Sequence, residues 1–206
     1  MRPKTEKTGR NGNKKGLFMN QFFKKFAVAA LTLTTAIALN ACGDNRECSH
    51  NESEHTLVCP EKTYKTVNLG GKVWMAENLD VFTPDSSICY GNNHDNCDTD
   101  GRLYTYASAT GAVCPTGWVL PTQQDFKDAF ANKEPAALKD AAGFNTIFAG
   151  FKYYDGNFAD KGASASFWTS DSYDDSRAYL VRITDTSVAY EHFNKNIFAS
   201  VRCIKK

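Results

Sequence analysis

No stretch of this 206-residue chain is apolar for long enough to cross a bilayer. Its N-terminal apolar run, Phe26 to Leu39, spans about 14 residues, against the roughly 20 that a membrane helix needs. Also missing are a GxSxG nucleophile turn, an HExxH metal helix and a glycine loop that would cradle phosphate. The usual signatures of hydrolase, metalloprotease and nucleotide chemistry are therefore not there to build on. There is no internal repeat, which leaves out solenoids and propellers. Beyond residue 41 there is no basic cluster, which argues against nucleic acid as a partner.

What is present begins with an export signal. Met1 to Lys25 carries eight Lys/Arg against one Glu and precedes the short apolar run, the layout of a secretory signal. A compact signal of ordinary length also starts at Met19. The run leads to Leu39-Asn40-Ala41-Cys42, which resembles a bacterial lipobox, with Asn40 where a small residue is usual. We expect residues 1–41 to be the signal peptide and Cys42 to be the lipidated N-terminus, so that acyl chains hold the protein to a membrane. Removing the signal takes away eight positive charges and one negative, and the formal +1 of the whole chain becomes about −6. About 165 residues remain, enough for one core.

Six further cysteines follow: Cys48, Cys59, Cys89, Cys97, Cys114 and Cys203. An even set in an exported chain reads as disulfides, and six cysteines allow fifteen connectivities. Sequence proximity favours Cys48–Cys59 and Cys89–Cys97, which leaves Cys114 with Cys203. That last bridge closes a loop of about 90 residues and is worth roughly 4–5 kcal/mol in the chain-entropy model, against roughly 2.5 for the short loop from Cys89 to Cys97. His50 and His55 lie between Cys48 and Cys59, but their spacing fits no common zinc finger and an oxidising compartment favours the disulfide.

Residues 42–62 are polar, lack apolar periodicity and read as a tether with one clip in it. From Thr63, TYKTVNLGGKVWMAENLD predicts a hairpin about Gly70-Gly71. LYTYASA, Leu103 to Ala109, has apolar residues at helical spacing and reads as a short helix. WVL within CPTGWVLP reads as a strand. Thr122 caps a helix running to about Asn132, with Asp125 three residues on as in a capping box, and a further short helix is expected over 135–142. After Gly143 the pattern is β, in short runs separated by Gly, Asp and Ser turns.

Five motifs in order, VNLGGKVWMAENLD, CYGNNHDNCDTDGRLYTYASA, VCPTGWVLPTQQDF, FWTSD and SVRCIKK, resemble the Fibrobacter succinogenes major paralogous domain, a family of exported bacterial proteins. The match covers Tyr64 to Lys206, and places the domain at 63–206. The family looks like a relative of the C-type-lectin-like and formylglycine-generating-enzyme-like fold. The resemblance thus implies an α+β, C-type-lectin-like module with two short helices and mainly antiparallel short strands, tied by disulfides. The GWVLPT step into a helix and a Cys114–Cys203 tie would correspond to that architecture. It implies fold more firmly than activity. The formylglycine-generating relatives use a reactive cysteine pair in their C-terminal part, where this chain has only Cys203, so that activity is not carried over.

Within CYGNNHDNCDTDGRLYTY, aligning Gly101 with the glycine of a calcium loop puts Asn96, Asp98 and Asp100 at ligand positions, but the twelfth position is Ala107 where a bidentate Glu is needed. A disulfide-clipped turn is the reading preferred here, with calcium at Asn96, Asp98 and Asp100 as a weak alternative and no other metal or cofactor. The Glu-Pro-Asn and Gln-Pro-Asp tripeptides of calcium-dependent lectins are absent. Tyr153, Tyr154, Trp168 and Tyr173, with Asp171, Asp174 and Asp175, are the candidate ligand-binding residues, and Tyr179 and Tyr190 extend the aromatic set. No catalytic residue is expected. The chain reads as a lipid-anchored cell-envelope protein, in the outer membrane, that binds a polysaccharide or a surface protein. A structural or assembly role in the envelope is the alternative, and an enzyme the least favoured class.

Overall fold

The computed structural model describes residues 47–206; the signal segment and Cys42 lie outside the described residues. Directly after Cys48 the chain forms a hairpin, β1 (Ser49–Asn51) and β2 (Thr56–Val58), closed by the Cys48–Cys59 disulfide. Strand β2 pairs in turn with β3 (Thr63–Leu69), with Leu57 opposite Tyr64. Residues 48–59 are therefore part of the folded body and not of a tether. A stretch with little apolar character can join because β3 satisfies its backbone groups and its one inward leucine, Leu57, is fully buried.

Strand β3 turns into β4 (Lys72–Met75) through Gly70 and Gly71, both at positive φ (57° and 74°), as a two-residue hairpin turn requires. The tightest constraint is at Gly70. A Cβ there would lie 2.7 Å from the backbone nitrogen of Ala129, so the glycine is what lets a helix backbone close over the turn. Strand β4 lies between β3 and β14 (Ile204–Lys205), and β14 pairs on its other side with β7 (Trp118–Val119). Trp74 and Met75 are both buried because this strand is covered on both faces.

A second six-stranded sheet holds β5 (Ser87–Ile88), β6 (Leu103–Tyr104), β10 (Ala165–Ser172), β11 (Arg177–Ile183), β12 (Val188–Asn194) and β13 (Ala199–Ser200) in the order β12-β11-β10-β13-β6-β5. All its ladders are antiparallel except β10 with β13. A small hairpin, β8 (Phe151–Lys152) with β9 (Phe158–Ala159), completes the strands. Three short helices interrupt them: α1 (His94–Asp100), α2 (Tyr106–Thr110) and α3 (Gln123–Phe130). The fold is α+β and mainly antiparallel, as expected.

The expected helix over Leu103 to Ala109 is split. Leu103 and Tyr104 pair with Ser200 and Ala199 as β6, and Thr105 then caps α2 through its side chain. Thr122 and Asp125 do form a reciprocal capping box on α3, and residues 135–139 make a 3-10 turn where the short helix was expected.

The core has two apolar clusters. One gathers Trp168, Tyr104, Tyr106 and Cys203, the other Trp74, Phe126, Phe144 and Phe167. Arg202 is fully buried in the second region, where its guanidinium donates to Asn78 Oδ1 (2.8 Å) and to the backbone oxygens of Phe144 and Asn145 and lies 4.3 Å from the Phe144 ring centroid. Burial pushes its pKa down to about 9, partly opposed by Glu77. All three expected disulfides are present, and Cys114–Cys203 spans 89 residues.

Candidate functional site

Trp168 is not a surface residue. It is fully buried, its indole N–H donates to the Tyr104 carbonyl at 2.8 Å, and Tyr106 packs edge-on against it. It belongs to the core and offers no surface to solvent. Asp171 is also committed elsewhere: its carboxylate accepts the backbone N–H of Gln123 at 2.6 Å, at the first turn of α3, where a negative charge is favoured by the exposed amides of a helix start.

Asp174 organises the turn between β10 and β11. Its carboxylate accepts from the backbone N–H groups of Ser176 (2.9 Å) and Arg177 (2.7 Å) and from Arg177 Nε (2.7 Å). The Arg177 guanidinium, with those amides, holds the Asp174 carboxyl well below the usual carboxylate range. Such a group stays ionised and is not poised as a general acid. Asp175 is exposed beside it, and its carbonyl oxygen accepts from Lys195.

Arg177, so fixed, lies with its guanidinium carbon 4.6 Å from the Tyr173 ring centroid. The Tyr173 ring is stacked at 4.0 Å, nearly parallel, on His192, and Tyr179 meets Tyr173 edge-on at 5.4 Å. Tyr179 and His192 face each other across the β11–β12 ladder, with Tyr190 one row along the same face, opposite Val181. Lys127 of α3 reaches within 5.2 Å of the Tyr190 ring centroid. Burial, with Asp128 nearby, raises the Tyr190 phenol. The result is a strip of aromatic and cationic side chains along the edge strand β12, with Tyr173 still 45 % exposed and His192 exposed.

His192 and Arg177 were not among the residues singled out from the sequence. The period-2 pattern of SVAYEHF held the signal, since Val188, Tyr190 and His192 must share one strand face.

Tyr153 and Tyr154 are exposed, at 37 % and 72 %, but they belong to a different surface. Tyr153 packs on Phe151, and Phe151 in turn meets Phe193. Phe193 and His192 are neighbours on β12 and point to opposite faces, so the two tyrosine groups lie on opposite sides of the sheet edge.

The acidic run before Gly101 is helical, which corrects the calcium alternative. Asn96, Asp98 and Asp100 lie on α1, where residues two apart point roughly 200° from each other. Lys161 donates to Asn96 Oδ1 at 2.8 Å and pairs with Asp100. Among the described residues, no three His, Cys, Asp or Glu side chains converge to hold a metal. A groove of about 600 Å³ runs beside Gly111 to Leu120, but Lys206 is the one ionisable side chain that lines it, which does not make an acid/base pair.

The Fibrobacter succinogenes major domain matches the chain over residues 67–133 and again over 128–205. The chain belongs to this family. The two matched segments run from the second half of β3 to β14, so the strip along β12, the Asp174 turn and the Cys114–Cys203 tie all lie within the family's domain. No curated protein and no solved structure matches the chain.

Proposed function

We propose that this family member is a cell-envelope lipoprotein, held to the outer membrane through an acylated Cys42, whose domain is a non-catalytic module that binds a polysaccharide or a surface protein. The observation that carries the binding role is the strip of Tyr173, His192, Tyr179 and Arg177, fixed by Asp174 and open to solvent along a sheet edge. Rigid aromatic side chains give contact area at low entropic cost, and a guanidinium and phenol at the margin supply donors for hydroxyl or carboxylate groups. Three disulfides suit an oxidising compartment outside the cytoplasm.

The test is an array of cell-wall and other polysaccharides, probed with the mature chain carrying Cys42→Ser. Binding is expected to fall at least about tenfold in Tyr173→Ala, the size of change usual for a central aromatic anchor, and to be unaffected by EDTA. Binding that persists in Tyr173→Ala but is lost in Tyr154→Ala would move the site to the opposite face. A blank array from folded, oxidised protein would leave a protein partner or a scaffold role.

A further inference from the structure

Five large apolar or aromatic side chains are well exposed among the described residues, and the two without a hydroxyl are Val58 (46 %) and Phe82 (60 %). Both border the place where the chain enters the fold. Cys48, bonded to Cys59, forms with Pro60, Val81 and Pro115 much of the wall of a pocket of about 120 Å³. Val58 precedes Cys59 and Phe82 follows Val81. Arg102 ties the rim of that pocket to Phe82: its Nε is 3.1 Å from Asp80 Oδ1 and its guanidinium carbon is 5.2 Å from the Phe82 ring centroid. Lys62 takes the other oxygen of Asp80 at 3.7 Å. Lys62 and Arg102 both pair with Asp80, while Glu61 lines the same pocket and Glu47 is exposed beside Cys48.

The short distance along the chain gives this surface its occupant. Because the Cys48–Cys59 hairpin is built into the sheet, only six residue steps separate Cys42 from Cys48, and six steps cannot span more than about 22 Å. Cys48, where the chain enters the folded body, therefore stays within one bilayer thickness of the anchor. We propose that the face made by Val58, Pro60 and Phe82 rests on the headgroup region of the bilayer that carries Cys42, and so fixes which way the domain points. This rests on acylation of Cys42, the anchoring proposed above. The contact can be weak on its own, since an anchored surface meets the bilayer as an intramolecular partner at high effective concentration.

The experiment uses the full chain, processed in its bacterial host and reconstituted into phosphatidylethanolamine/phosphatidylglycerol vesicles with or without brominated acyl chains. Phe82→Trp is the reporter, because Trp74, Trp118 and Trp168 are buried and give a constant background. The added emission should shift to shorter wavelength on the vesicles and be quenched by the brominated lipid, while that of Tyr154→Trp is quenched less. Mass spectrometry of the mature N-terminus accompanies each sample. Acylated Cys42 with unquenched emission from Phe82→Trp, or with equal quenching at both positions, would overturn the orientation and leave the anchor standing. An N-terminus without acyl chains would remove the anchor and the orientation with it.

Discussion

At the residue scale, the most demanding position is Gly70. It takes a left-handed φ and also sits under the α3 backbone, whereas Gly71 takes a similar φ with open space where a Cβ would lie. Gly71→Ala should cost about 1 kcal/mol of backbone strain, and Gly70→Ala about 1–3 kcal/mol more, because α3 has to move as well. Urea unfolding of the two variants side by side measures the difference; equal midpoints would mean that α3 yields freely. The Gly-Gly pair was legible in the sequence as a turn, but its second role was not, because nothing local announces which distant backbone will approach. Trp168 illustrates the same limit from the other direction. An aromatic residue between Phe167 and Thr169 has the same local signature in the core as at a binding face, and its bond to the Tyr104 carbonyl, 64 residues away, decides the matter.

At the element scale, the α3 cap was readable because its chemistry is local: Thr122 and Asp125 are three residues apart and satisfy each other's backbone amides. Removing the hydroxyl in Thr122→Ala should cost about 1 kcal/mol. Burial works against the charged form of Asp125, but the Lys72 ammonium and the Thr122 donors outweigh it, so Asp125 titrates below the ordinary 3.8. A carboxyl depressed in the folded state contributes stability that is fully present above the unfolded value and is lost as pH falls through the folded one. The gap in stability between the natural chain and Asp125→Asn should therefore be widest above the ordinary carboxyl range and shrink steadily as pH falls below 3.8, as denaturant titrations from neutral to acid pH would show. The hairpin of residues 48–59 and strand β6 were not legible. Both are two- or three-residue strands whose order comes from partners, β3 and β13, and not from their own periodicity.

At the scale of the whole molecule, the bridges are unequal. Cys114–Cys203 joins segments 89 residues apart, and Cys89–Cys97 only 8. Replacing the first pair by alanine should cost about 4–5 kcal/mol and the second about 2.5, a ranking that thermal unfolding of the two double variants would test; a larger loss at Cys89–Cys97 would show that α1 depends on its clip more than loop entropy allows. The even cysteine count made disulfides legible in the sequence, whereas proximity only favoured the observed pairing among the fifteen that were open. The strip along β12 was only half legible, because Tyr173, His192 and Arg177 come from separate strands and a turn.

The position of β14 carries a consequence for the order of folding. Strand β14 is an inner member of its sheet, hydrogen-bonded to β4 on one side and β7 on the other, and Met75 and Leu79 donate their amides to the carbonyl oxygens of Cys203 and Val201. The first sheet cannot close until residue 204 has arrived, and the bridge at Cys203 cannot form before it is made. The partners of β14, Trp74, Trp118 and Val119, lie at least 85 positions earlier (204 − 119 = 85), so this sheet closes only through non-local pairing, the kind of contact that forms late and slowly.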